Sequence, residues 1–120
     1  MNKCTVLYPK GYFENSTITD YFDSYYDVEM TFLPQKNLSV SPEVIIIAFE
    51  LAKSLAFSAS YDLMKHTLLS VLNQAKQNKS KKTTISIIND GKKSQIILPF
   101  EPTEEQKDKL VDAAIKKLLS

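Results

Sequence analysis

Residues 41–76 read SPEVIIIAFELAKSLAFSASYDLMKHTLLSVLNQAK, and the way this stretch folds decides the architecture, because it holds most of the long apolar side chains. Ser41 can cap a helix, Pro42 suits a first helical position where no amide hydrogen is needed, and Glu43 complements the positive end of the helix dipole. The pattern therefore predicts a helix that starts at Ser41 and runs through Val44–Ile47. These four residues are also β-branched and apolar all round, which suits a fully buried strand as well. Farther on, Ser58-Ala59-Ser60 and Tyr61-Asp62 weaken the helical pattern, since serine and aspartate compete for backbone hydrogen bonds. A break near Ser58 is expected, then a second helix from about Ser60 to Gln77 with Leu68, Leu69, Val71, Leu72 and Ala75 as its buried stripe.

Working outward toward the N-terminus, Val28, Met30 and Phe32 alternate with Glu29 and Thr31, the period of a strand with one buried face, and Pro34 ends it. Before that, Ile18, Tyr21, Phe22 and Tyr25 recur at helical spacing, with Ser16 or Thr17 as cap, and Thr5-Val6-Leu7 form a first strand closed by Pro9 and Gly11. Strand, short helix, strand is a crossover unit. A right-handed crossover lays the two strands parallel, adjacent or one place apart.

Toward the C-terminus, TTISIIN, Asp90-Gly91 and KKSQIIL form a hairpin, because a type I′ turn needs positive φ at both central residues. With Asp90 and Gly91 as the loop, Ile87 faces Ser94, Ile85 faces Ile96 and Thr83 faces Leu98 on the side that should meet the helices. Pro99 and Pro102 bracket a turn, and Thr103-Glu104-Glu105-Gln106 is a capping box that starts a last helix. Leu110, Val111, Ala114, Ile115 and Leu118 make its apolar stripe, with Lys107, Asp112 and Lys116 opposite. The expected fold is α+β: one domain over residues 1–120, with a mixed sheet of about four strands, two central helices, a hairpin and a C-terminal helix.

A chain of 120 residues that is 43% hydrophobic and 24% charged can bury a core of ordinary size, far from the composition of disordered chains. Its single cysteine, Cys4, and single histidine, His66, are too few for a structural zinc site. Met1–Gly11 has no long apolar run, so no signal peptide is expected, and Val44–Phe57 is interrupted by Glu50 and Lys53 and too short to span a bilayer. A cytoplasmic location without membrane contact follows as the expectation. With glycine only at positions 11 and 91, no phosphate loop or dinucleotide fingerprint fits, and GxSxG, HExxH and CxxC do not occur. No enzyme activity, metal or cofactor is expected.

Charge is uneven: residues 1–62 carry 4 lysines against 8 acids, and residues 63–120 carry 11 against 6. Asp20, Asp23, Asp27 and Glu29 stand beside Tyr21, Phe22, Tyr25 and Tyr26. They lack the spacing of a calcium loop, but acids with tyrosines suit a protein contact. The candidate partner-binding residues there are Asp20, Tyr21, Asp23, Tyr25, Tyr26 and Asp27. Lys76, Lys79, Lys81, Lys82, Lys92 and Lys93 form a basic region, of which Lys81, Lys82, Lys92 and Lys93 are the candidate contacts for an acidic partner or for phosphates. Every basic residue is lysine, which disfavours sequence-specific nucleic-acid recognition, and the hairpin's length holds the two lysine pairs apart. Asp62, His66 and Ser70 share a helical face, but three residues along one helix do not converge on one reacting atom.

From Pro42 on, the pattern of an apolar helix pair broken at small residues (LAFSASYD), a lysine-rich exit (KQNKSKK), the hairpin TTISIINDGKKSQIIL and a terminal helix resembles, in element order, the effector-associated constant components of bacterial conflict systems. The resemblance spans about two-thirds of the chain. It implies a small non-enzymatic α+β component that works beside variable effectors in defence or conflict, and it carries over no functional residue. The expected function is a protein-interaction module of that kind, an accessory or adaptor. An immunity protein that blocks a toxin through the acidic-aromatic stretch, and weak nucleic-acid binding through Lys76–Lys93, are the alternatives.

Overall fold

The computed structural model describes residues 2–9, 28–35, 44–74, 83–99 and 101–119. Along the chain these form β1 (Asn2–Pro9), β2 (Val28–Gln35), β3 (Val44–Glu50), α1 (Phe57–Gln74), β4 (Thr83–Asn89), β5 (Lys92–Leu98) and α2 (Glu104–Leu119). The fold is α+β, with one mixed sheet of five strands in the order β2-β1-β3-β4-β5. The strands are parallel between β1 and β2 and between β3 and β4, and antiparallel between β1 and β3 and between β4 and β5.

The fifth strand corrects the helix expected from Ser41. Val44–Glu50 is the central strand of the sheet, bonded to β1 on one side and β4 on the other. Branching at Cβ stiffens Val44 to Ile47 against a helical turn and suits them to a pleated surface with neighbours on both edges. The cap signal at Ser41-Pro42-Glu43 lies outside the described residues. The expected break also moves: the chain turns at residues 51–56, where the Leu55 N–H bonds the Ala52 carbonyl at 3.0 Å. Ser58 and Ser60 then sit inside the first turns of α1, and the Ser60 N–H reaches the Ala56 carbonyl at 2.9 Å. Serine near the start of a helix is tolerated, so it marked the beginning of the helix and not a break within one.

Pro34 does not end the second strand as expected: β2 runs through it to Gln35, which an edge strand tolerates, while the hairpin and capping expectations fit. Strands β1 and β2 are adjacent and parallel; the helix expected between them lies outside the described residues. In the hairpin Ile87 pairs with Ser94, Ile85 with Ile96 and Thr83 with Leu98, and Asp90 (φ 50°) and Gly91 (φ 77°) make the turn. A Cβ added at Gly91 meets nothing within 4 Å, so any cost of substitution is one of backbone conformation. Gly91→Ala should lower stability by about 1 kcal/mol in a urea titration without changing the slope of the transition. The capping box closes reciprocally: the Thr103 N–H donates to Gln106 Oε1 at 2.9 Å, and the Gln106 N–H donates to Thr103 Oγ1 at 3.1 Å.

Burial alternates along every strand, and the buried positions share one face. Cys4 and Val6 of β1, Val28 and Met30 of β2, Ile45, Ile47 and Phe49 of β3, Ile85 and Ile87 of β4, and Ile96 and Leu98 of β5 are buried there. The helices complete this core with Leu63, Met64, Leu68, Val71 and Leu72 of α1 and Val111, Ala114, Ile115 and Leu118 of α2. Leu69 of the expected stripe is half-buried against it, and Ala75 lies outside the described residues. Helix α2 packs on both β5 and α1. Lys107, expected on its solvent side, instead has a side chain only 13% exposed, because its ammonium bridges Asn73 Oδ1 of α1 at 3.0 Å and Glu104 at 3.1 Å. Lys65 reaches from α1 to Asp108 at 3.2 Å, a second tie between the helices.

Candidate interaction surface

The face of the sheet turned away from the helices follows from the same two-residue period. The pairing aligns Leu33 of β2 with Leu7 of β1, Leu7 with Ile46 of β3, and Ile46 with Ser86 of β4. One row further along, Thr31, Thr5, Ala48, Ile88 and Lys93 run side by side across all five strands. The middle of this face is half-buried, while its rims open to solvent: Leu33 is 45% exposed and Ile97 55%. Lys3 lies between Glu29 and Glu50 in the register, so one end of the face is charged with alternating sign and the rest is aliphatic or hydroxylic. Among the described residues no helix packs on it.

No aromatic or arginine side chain stands on this face among the described residues; Tyr8 and Phe32 meet edge to face at 6.5 Å on the other side of the sheet. A base-stacking platform needs aromatic rings or guanidinium planes, so the face suits aliphatic protein contacts better than single-stranded nucleic acid.

Of the candidate residues read from the sequence, Asp20, Tyr21, Asp23, Tyr25, Tyr26, Asp27, Lys81 and Lys82 lie outside the described residues. Lys92 and Lys93 are exposed at the turn end of β5. Being consecutive in a strand, they point to opposite faces and do not form one patch. Sequence reasoning missed Leu7, Leu33, Ile46, Ile88 and Ile97 as a surface. The one available signal was the alternation of Lys93, Gln95 and Ile97 with Ser94, Ile96 and Leu98.

Asp62 and His66 are exposed on α1 and Ser70 is half-buried, all on one helix. At the carboxyl ends of the parallel strands β3 and β4 a cavity of ≈ 400 Å³ gathers Glu50, Lys53, Ser60, Asn89 and Asp90. The ends of parallel strands are where α/β sheets place ligands, yet this cavity brings no histidine or cysteine beside Ser60 to activate it as a nucleophile. Cys4 is the other nucleophilic type, and it is 1% exposed on the covered face. Burial pushes its thiol from the usual 9.0 up to about 12, because the thiolate would lose its hydration.

Two consequences can be measured. A disulfide-exchange reagent at pH 8 should leave Cys4 unmodified in the folded chain and label it once urea unfolds the protein. The unfolded chain also loses the thiol proton first, so stability falls as pH rises from about 9 toward 12, and Cys4→Ala should remove that part of the alkaline slope.

No family model matches the chain. No curated protein and no solved structure matches it either.

Proposed function

We propose that this chain is a small non-enzymatic protein-interaction module, an accessory or adaptor component of a bacterial defence or conflict system. The observation that supports it is the sheet face that no described helix covers, on which Leu7, Leu33, Ile46, Ala48, Ile88 and Ile97 provide aliphatic area beside a charged end formed by Glu29, Lys3 and Glu50. Contiguous apolar area of this kind on a small protein commonly marks a partner site. A polar, charged rim beside it gives a partner its orientation. The link to conflict systems rests on the resemblance in element order from Pro42 on; its hairpin and terminal helix are present, whereas the first helix of its expected pair is strand β3. The nucleic-acid reading has less behind it, since Lys92 and Lys93 diverge and no stacking residue joins them.

The test is affinity capture from the native host, run in parallel with the chain and with the Leu7→Ser/Leu33→Ser double variant, which alters only this face. A stoichiometric protein recovered by the unaltered chain and lost by the variant supports the reading. Bait recovered alone at physiological salt, or the same partner on both baits, contradicts it.

A further inference from the structure

The two edges of the sheet are built differently. β2 carries Pro34, which can donate no backbone hydrogen bond, and so blunts its own edge. β5 runs from Lys92 to Leu98 without a proline, and among the described residues it ends the sheet. The tight turn at Asp90-Gly91 makes Asn89 and Lys92 a hydrogen-bonded pair, and the antiparallel alternation then bonds Ser94, Ile96 and Leu98 to β4. The N–H and C=O groups of Lys93, Gln95 and Ile97 consequently point outward from the sheet. These are donors and acceptors for one more strand.

Beside that edge lies a groove of ≈ 410 Å³ between β5 and α2, lined by Ile97, Pro99, Gln106, Lys109 and Leu110. Ile97 thus contributes to the strand edge and to the groove wall. A lysine stands at each end of this path: Lys93 is exposed near the turn, beside the exposed Asp90, and Lys109 stands at the groove. Lys109 is held by Glu105 at 3.1 Å in an exposed pair whose side chains are 75% and 77% accessible. Such a pair contributes little, so an incoming carboxylate can replace Glu105.

We infer that β5 is a docking edge for an extended peptide segment of a partner protein, added as a sixth strand, with an apolar side chain in the β5–α2 groove and acidic residues against Lys93 and Lys109. Backbone bonds from Lys93, Gln95 and Ile97 give the affinity, and the groove and lysines select the sequence, the division of labour seen wherever a strand adds to a sheet edge. This assignment rests on the proposed interaction function and names the partner chemistry for one edge of the same sheet.

The experiment pans a display library of random dodecapeptides against the chain and against Gln95→Pro, which removes the central outward N–H at an edge position where proline is tolerated. Enriched peptides should alternate apolar residues and carry acids, bind about tenfold more weakly to Gln95→Pro, and slow hydrogen exchange at Lys93, Gln95 and Ile97. If Gln95→Pro fails to fold, Lys93→Glu, at an exposed site, should switch the selected charges from acidic to basic. Peptides indifferent to both changes, protection elsewhere on the chain, or no enrichment at all overturns the assignment. Its failure leaves the broader reading intact where the Leu7→Ser/Leu33→Ser variant still loses its host partner. Where that variant keeps the partner as well, both readings fail.

Discussion

Ile47→Ala should lower the unfolding free energy by about 3 kcal/mol, whereas Ile46→Ala, one residue away, should cost about 1 kcal/mol. Ile47 is 0% exposed and sits in the middle of β3, between Val6 of β1 and Ile87 of β4, on the face the helices cover. Truncating it removes three carbons from a packed interior and leaves a void that the neighbouring strands cannot close without breaking their ladders. Ile46 has the same side chain, but it faces the side away from the described helices and is only half-buried. A helix over these residues would not produce an alternation of period two. Urea titrations of both variants decide the matter, and equal losses would contradict the strand.

Val111→Asp should abolish the folded state at room temperature, while Ala113→Asp should leave stability within about 0.5 kcal/mol of the parent. Val111 is 0% exposed, on the side of α2 that closes the core over β5 and α1. A carboxylate there loses its hydration and gains no partner, a loss of at least about 4 kcal/mol against the marginal stability of a domain this size. Ala113 is exposed on the same helix, so the charge stays in water. Far-UV circular dichroism separates the outcomes, and a folded, cooperatively melting Val111→Asp would show that α2 is not needed to complete the core.

The parts of this fold that were legible in the sequence are those whose determinants are local. Asp90-Gly91 needs only its own φ angles to set the hairpin register, and Thr103 and Gln106 satisfy each other within one turn. β3 was misread because Ser41-Pro42-Glu43 is a local helix signal, whereas the strand is made by β1 and β4, which lie some forty residues away on either side. Tertiary pairing of β-branched residues overrode the cap. The face away from the described helices was hidden for a related reason. Ile46, Ala48 and Ile88 are as apolar as Ile45, Ile47 and Ile87, so a central strand reads as apolar throughout and does not reveal which side the helices take. Edge strand β5 did alternate visibly, and Lys93, Gln95 and Ile97 were the available clue. The charged clusters drew attention instead, although Lys92 and Lys93, adjacent in sequence, diverge across the sheet.

The proposed interaction surface depends on the sheet having one side covered by the helices and one side that no described element covers. The isoleucines report that division directly, since consecutive ones face opposite ways in three strands. With methyl-labelled isoleucine and a soluble gadolinium chelate, the resonances of Ile46, Ile88 and Ile97 should broaden strongly. Those of Ile45, Ile47, Ile85, Ile87, Ile96 and Ile115 should stay sharp. Equal protection of both sets, or broadening of Ile45 and Ile47 ahead of Ile46, would contradict an open face and remove the surface on which the proposed interaction stands.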